Sequence, residues 1–446
     1  MTAPRPAATE PIRYPGAEAR ATIARIRAVE GAGPRTWGSD APLVVESALG
    51  STLTDPDGNR FMDLSASFAA ATIGHAHPDV VRAVQEQIGR LSHVSSAFVS
   101  EPRAAFQEAL VGIAQEGLDR VLLGMSGADA NDVALKLART LTGRREVLAF
   151  SGGYFGRGGG VVGVNGKTRF RTSVGRDSEA HFLPFPFAYR WPLGSGEDAG
   201  GQAIALATDA IESPASGIGP LAAIVVEPVQ GNGGIVVPPA GFLEGLRALC
   251  DRHGIVLIFD EIQCGFGRTG RIWAAEHWGV VPDLMTVGKG IGGGLALSAV
   301  LGSAATMSHW PPGTHTSTFM GNAVNLAAGR AAIDVLVRDR LWERAARLGA
   351  RLIGSLREQL GDLDHVGEVR GLGLFAGIEV VRDRPSRLPD PDRARRIRDA
   401  AFERGVIVGA AGHHDNVLKV CPPLTIDEAQ LDDAVGVLVE ASREGQ

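Results

Sequence analysis

Six short apolar runs, each stopped by a turn or a helix start, constrain this chain more than any other feature. They are Val121–Met125, Glu146–Phe150, Leu221–Val226, Ile255–Phe259, Leu284–Val287 and Ser298–Gly302. A strand with one wet face alternates apolar and polar residues, whereas a strand covered on both faces reads as a continuous apolar run. Helical spacing falls before and between them. Val80, Val81, Val84, Ile88 and Leu91 follow Pro78, which suits a first helical turn. Asp129–Thr140 places Val133, Leu135, Leu137 and Ala138 at similar intervals. The pattern predicts an α/β fold: a large domain with a mostly parallel sheet flanked by helices.

A chain of 446 residues is too long for one small core. We expect an N-terminal arm and hairpin segment over 1–75, a large domain over 76–330 and a smaller α+β domain over 331–446. Asp55-Pro56-Asp57-Gly58-Asn59 is the hairpin turn. A long helical stretch runs from Asn322 to Leu360, then a strand over Val369–Val381, a helix over Ala394–Glu403, strands at Val406–Val408 and Val417–Val420, and a closing helix over Glu428–Ala441. The net charge of -6 carries no basic footprint, which argues against nucleic acid and anionic membranes as partners. The N-terminus lacks a basic segment followed by an apolar one, and no apolar run approaches the roughly 20 residues of a membrane span. Cys250, Cys264 and Cys421 show no CxxC spacing. A cytoplasmic protein is the expectation.

The chain uses forty arginines and only four lysines. One of the four, Lys289, stands in Val287-Gly288-Lys289-Gly290-Ile291-Gly292-Gly293-Gly294, directly after an apolar run. Another run ends in Asp260-Glu261-Ile262-Gln263. An amine able to form a Schiff base and a carboxylate at the end of a buried strand are what pyridoxal phosphate requires of a protein. The lysine holds the aldehyde, and the acid keeps the pyridine nitrogen protonated so that the ring can take up electrons.

Ligands of such sheets sit at the carboxyl ends of the strands, and three further segments fall there. Ser126-Gly127-Ala128-Asp129-Ala130-Asn131 opens a helix and could cradle a phosphate on free N–H groups, or simply cap the helix. Gly152-Gly153-Tyr154-Phe155-Gly156-Arg157 offers an aromatic that could stack on a planar ring or pack in the core. Ile224 to Gly234 places Glu227 at a strand end. Other signals are weaker. Gly371-Leu372-Gly373-Leu374-Phe375-Ala376 reads as lying within a strand, which a dinucleotide loop does not. Gly74-His75-Ala76-His77-Pro78 offers two histidines and no third ligand, so no metal is expected.

In this order, the segments resemble the class III (ω-type) pyridoxal-phosphate aminotransferases of fold type I. The likeness runs from about Leu43 to the C-terminus and adds Gly265-Phe-Gly-Arg-Thr-Gly270, Pro282-Asp283 and Gly313 to Asn322. It implies that Lys289 carries the cofactor and Asp260 pairs with the ring nitrogen. Gln263 would bond the ring hydroxyl, Ile262 and Tyr154 would pack on the two ring faces, and Gly127 and Ala128 would give N–H groups to the phosphate. Thr318 would reach the phosphate of a neighbouring subunit's cofactor, which implies a homodimer. Glu227 would stand in the substrate pocket.

Two positions depart from the family pattern. Phe155 stands where His or another aromatic is usual. Lys419, in Leu418-Lys419-Val420-Cys421-Pro422-Pro423, stands where the family has an Arg that takes the substrate's carboxylate. Lys is a single-point donor and cannot make that forked pair. Racemases of the same fold also depart here and share the Asp of a segment such as 126–131. The expectation is therefore an aminotransferase acting on an amine or amino acid and a keto acid, with a racemase or a decarboxylating relative as the alternative.

Overall fold

The computed structural model describes residues 11–33, 41–172 and 179–444. Part of the predicted N-terminal arm lies outside them; what is described includes the helix Ala17–Val29. Three short strands follow: β1 (Ser47–Leu49), β2 (Thr52–Thr54) and β3 (Arg60–Asp63). β2 and β3 form the predicted hairpin, with Thr54 opposite Arg60. The turn is tied by Asp55, whose carboxylate accepts the N–H groups of Asp57 and Asn59.

The large sheet contains β4 (Arg120–Gly124), β5 (Glu146–Phe150), β6 (Ala180–Leu183), β7 (Leu221–Val226), β8 (Val256–Asp260), β9 (Leu284–Val287) and β10 (Ser298–Gly302). Its order is β4-β10-β9-β8-β7-β5-β6. β9, β8, β7, β5 and β6 are parallel neighbours. β10 alone runs against its neighbours β9 and β4. The reason is length: only residues 288–297 separate β9 from β10, too few for the helical crossover that a parallel return needs. β4 consequently points the same way as β9, and the carboxyl ends of β4, β5, β7, β8 and β9 share one edge.

Both sheet faces are covered, as the continuous apolar runs require. Val147, Ala149, Ala223 and Val225 pack with Val133, Ala134 and Leu137 of the helix Gly127–Thr142. Leu148, Phe150, Ile224 and Val226 pack on the other side with Leu243 and Leu246 of the helix Phe242–His253 and with Ala203 and Ala207 of Ala199–Glu212. Every residue of β7, β8, β9 and β10 is buried.

The C-terminal part differs from the sequence reading in three places. The predicted stretch from Asn322 to Leu360 is two helices, Ala323–Arg338 and Leu341–Leu360, because Arg340 adopts a left-handed φ of 45° that no helix continues through. The predicted single strand Val369–Val381 is an antiparallel pair, β11 (Val366–Gly371) and β12 (Ala376–Val380). The Gly-x-Gly read as lying within that strand is the reversal itself, with φ of 150° at Gly371 and 56° at Gly373. The predicted strand at 406–408 is β13 (Val406–Ile407), followed by an unforeseen β14 (Gly409–Ala411), which pairs with β15 (Val417–Val420). β13 runs parallel to β3, with Val406 opposite Met62, so the first and last parts of the chain share a sheet. No helix among the described residues is long and apolar enough to cross a membrane.

Candidate active site

The last residue of β8 is Asp260, 3% exposed. Its Oδ2 accepts the Nδ2 amide of Asn131 at 2.8 Å and its Oδ1 accepts the Ile262 N–H at 2.9 Å. Asn131 is held in turn: its Nδ2 also reaches the Phe155 carbonyl at 3.0 Å, and its Oδ1 accepts the Thr286 hydroxyl at 2.8 Å. All of these donors are neutral. Burial pushes the Asp260 carboxyl up to about 6, against the pull of Asn131, the Ile262 N–H and the Lys289 ammonium. The sequence reading quoted Asn131 without giving it a role. It stands on the buried stripe of its helix with Ala134 and Ala138, and a polar residue on such a stripe is the signal that could have found it.

Lys289 follows β9 by two residues and opens the short 3-10 turn Lys289–Gly292 with a φ of 47°. A lysine in the left-handed region is strained, and such strain collects at functional sites. Burial draws its amine below the ordinary lysine range; Asp260 and Glu227 oppose this and the Lys419 ammonium adds to it. Glu227, 4% exposed, stands just after β7. Its two oxygens accept the N–H groups of Tyr154 and Gly231, each at 2.9 Å. Burial, with the neighbouring Asp260, pushes this carboxyl up to about 7.

The remaining predicted residues gather here, with one exception. Gly127 opens its helix behind the Ser126 cap, and a Cβ on it would lie 2.9 Å from Ile262 Cδ1. Ala128 abuts Gly156, where a Cβ would come within 2.5 Å of the Ala128 Cβ. Gln263 packs against Gly231, and Tyr154 meets the Phe170 ring edge-on at 5.1 Å. Lys419 reaches in from β15, 1% exposed, with its Nζ 5.5 Å from the centre of the Phe68 ring. The exception is Thr318, which is exposed; next to it, Ser317 Oγ lies 3.9 Å from Met125 Sδ.

Phe68 was not anticipated. It belongs to four successive left-handed residues, Ala66 to Ala69, a conformation that costs roughly 1–2 kcal/mol per residue. Asp63 pins the turn by accepting the N–H groups of Ser65 and Ser67, and is itself bonded to His75 Nε2 at 2.8 Å. His75 thus serves a turn, and His77 caps the helix Pro78–Arg90.

This donor set suits pyridoxal phosphate. Among the described residues the buried Asp260 carboxylate is in no ion pair, the Lys289 amine stands in its field, and a helix start next to Ile262 leaves little room for a side chain at Gly127. Comparison with known proteins agrees. The family model for "Aminotransferase class-III" matches residues 35–441. Diaminobutyrate–2-oxoglutarate aminotransferase of Rhizobium meliloti (strain 1021) is 36% identical over 425 residues, covering 91% of this chain and 89% of its own. Leucine/methionine racemase of Thermococcus litoralis is also 36% identical, covering 90% of each chain. The solved amine transaminase of an uncultivated Pseudomonas species, in its PLP-bound form, superposes with a TM-score of 0.85 at 32% identity, covering 93% of this chain and 98% of that one. The chain belongs to the class-III aminotransferases, pyridoxal-phosphate enzymes of fold type I.

Proposed function

We propose that the protein moves an amino group from an amine or amino acid to a keto acid or aldehyde with Lys289 and Asp260 as its catalytic residues. The observation that carries this is the Asp260 carboxylate: sealed from water, held by neutral donors, and within the field of the Lys289 amine. Bound pyridoxal phosphate supplies an aldehyde that condenses with amines and a ring that takes up electrons. Lys289 would hold the aldehyde through its side-chain amine and would be the base that takes the proton from the substrate carbon. Asp260 supplies the negative charge that keeps the ring nitrogen protonated. Gly127 and Ala128 would offer N–H groups to the phosphate, Ile262 and Tyr154 would bound the ring, and Gln263 would serve its hydroxyl. Glu227 and Lys419 face the substrate. The exposed Thr318 serves a second copy's phosphate, so the active unit is a homodimer; an active, cofactor-loaded monomer at high dilution would contradict this. The three free, buried cysteines accord with a reducing cytoplasm.

A racemase is the second reading, supported by the likeness to the Thermococcus enzyme and by Lys419 in place of Arg. One experiment separates them: incubation of the loaded enzyme with a single amino acid and no keto acid. Conversion of the cofactor to its amino form, with release of a keto acid, supports transfer. Inversion of the amino acid without that conversion supports racemisation.

A further inference from the structure

Three of the four lysines converge on one site. Lys136 is on the surface, paired with Asp132. Lys289 and Lys419 belong to the site already described. The remaining one, Lys167, is 7% exposed, and its charge interacts with both Glu227 and Lys419. The sequence reading gave it no role.

Lys167 precedes the helical turn Thr168–Arg171 of the large domain. Its Nζ donates to the Gly412 carbonyl at 2.5 Å and lies 3.9 Å from Asp415 Oδ1. Arg169 takes the same carboxylate in a forked pair. Gly412 also donates its N–H to the Asn232 carbonyl at 3.1 Å. Gly412 to Asn416 is the reversal between β14 and β15, so these contacts hold a small-domain hairpin against the large domain. The hairpin closes directly over the Tyr154 segment: a Cβ on Gly152 would lie 2.5 Å from His413 Nε2 and 2.7 Å from Gln230 Oε1. Lys419 follows on β15, opposite Gly409 of β14. Phe170, on the same turn as Lys167, buttresses Tyr154.

We propose that Lys167 is a positioning residue for the substrate end of the site: its ammonium clasps the Gly412–Asn416 reversal and so fixes where Lys419 stands relative to Glu227. The proposal rests on the reading of Lys419 as a substrate contact. The clasp is also sensitive to pH. Burial draws the Lys167 amine down to about 8, with Asp415 and Glu227 opposing and Arg169 and Lys419 adding. His413 of the hairpin also feels its charge, and Arg157 lies across the Phe170 ring. Below that pH the charged amine holds both the carbonyl and Asp415. Above it, only a neutral hydrogen bond remains, about half as strong.

The test uses the cofactor-loaded enzyme with Lys167→Met and Lys167→Arg, read by hydrogen exchange of the 409–420 peptide and by steady-state kinetics with glutamate. In Lys167→Met the hairpin should exchange faster and KM should rise about tenfold, the effect of one charge-assisted hydrogen bond, with kcat within a few-fold. Lys167→Arg should restore both. Wild type at about pH 9 should move part of the way toward Lys167→Met, because a neutral amine keeps the weaker hydrogen bond, whereas Lys167→Arg should not move, since a guanidinium stays charged. Unchanged exchange in Lys167→Met overturns the clasp. A looser hairpin with unchanged KM overturns the positioning role, and so does an identical pH response in wild type and Lys167→Arg. If Lys167→Met does not load cofactor, the last comparison decides. Kinetics of Lys419→Met report separately on the Lys419 reading, because hairpin exchange does not depend on it.

Discussion

Two buried carboxylates, one in each part of the molecule, have opposite surroundings. Asp260 is 3% exposed and is held by an amide and a backbone N–H. Glu379, on β12, is 1% exposed and is ringed by cations: Arg370 Nη2 at 2.7 Å and Arg190 Nε at 2.6 Å, with the Asn416 amide at 2.9 Å. Burial pushes both carboxyls up. At Glu379 the two guanidinium groups overcome it and the group ends below its ordinary value, whereas Asp260 ends at about 6. Arg370 also spans to the Gly234 carbonyl, and Arg190 lies just after β6 of the seven-stranded sheet, so Glu379 joins that sheet's part of the chain to the C-terminal strands. Asp260 is incomplete by construction. A buried carboxylate in no ion pair among the described residues is a place for a ligand's cation, and on the reading proposed above the protonated pyridine nitrogen would be that cation.

The largest expected effect tests the amine on which the Asp260 reading depends. Lys289→Ala removes the group that holds the aldehyde and the base that moves the proton, so turnover should fall by roughly 10⁴-fold and the visible cofactor band should vanish. It should also leave Asp260 still harder to ionise, because the Lys289 ammonium lowers its carboxyl. Full turnover of this variant with added pyridoxal phosphate would end the assignment.

Exchanging the two carboxylates for their amides gives the sharpest contrast. Asp260→Asn should slow turnover by at least about a hundredfold, which is about 2.7 kcal/mol in the barrier, with cofactor still bound. The cofactor-free fold should lose little, since burial already penalises this charge. Glu379→Gln should do the reverse, costing roughly 1.5–3 kcal/mol of stability by weakening the charged bonds of Arg190 and Arg370, the latter keeping Glu368, with the cofactor spectrum intact. Urea melts and kinetics of the two variants check this. Equal stability losses would erase the distinction between ligand site and joint.

The sequence made one of these regions readable and left the other dark. Lys289, Asp260 and Glu227 each follow a continuous apolar run, and strand-end position is a local property. The buried strands were visible for the same reason. Glu379, Arg370 and Arg190 look like ordinary surface charges in sequence, because what buries them is a contact across about 190 residues. Asn131 and Lys167 were missed on the same ground: their partners are Asp260 and Gly412, 129 and 245 positions away. The β11–β12 reversal was hidden by its leucines, which read as strand while Gly371 and Gly373 turned the chain. Thr318 stays exposed in a single copy, since its proposed partner is another chain.

Acidity should expose the same asymmetry more gently. Asp260 rises from 3.8 to about 6, and Glu227 and Glu261 rise from 4.5 to about 7. A carboxyl raised on folding binds more protons in the native state, so the cofactor-free protein should lose stability as pH climbs from about 4 to about 7. Glu379, lowered on folding, contributes in the other direction: its stabilisation is present above about 4.5 and fades as pH falls below it. Melting temperatures of the cofactor-free protein between about pH 5 and 7.5 should therefore decline less in Asp260→Asn and Glu227→Gln than in wild type. An identical pH dependence in wild type, Asp260→Asn and Glu227→Gln would show that the buried acids of the site are not held as described.

The smallest effect concerns the substrate end. Lys419 stands between Gly377 and Gly409 on the flanking strands, and a Cβ on Gly409 would lie 3.0 Å from Lys419 Cε. The glycine at 409 gives the buried Lys419 side chain its space. The chain uses Arg at forty of forty-four basic positions, and compositional drift therefore runs the wrong way to explain Lys. A forked Arg–carboxylate pair is worth more than one charged hydrogen bond, which contributes roughly 1.5–3 kcal/mol. On the proposed reading of Lys419 as a substrate contact, Lys would grip an α-carboxylate at a single point, and an amine distant from any carboxylate would be at less of a disadvantage. Lys419→Arg should therefore shift the substrate ranking toward glutamate and alanine, with melting temperature and cofactor spectrum unchanged. The measurement is kcat/KM over a panel of amines and amino acids for both proteins. Identical relative rates would show that Lys419, despite its place at the site, does not set specificity, and the choice of substrate would then have to come from the Phe68 turn or from a partner subunit.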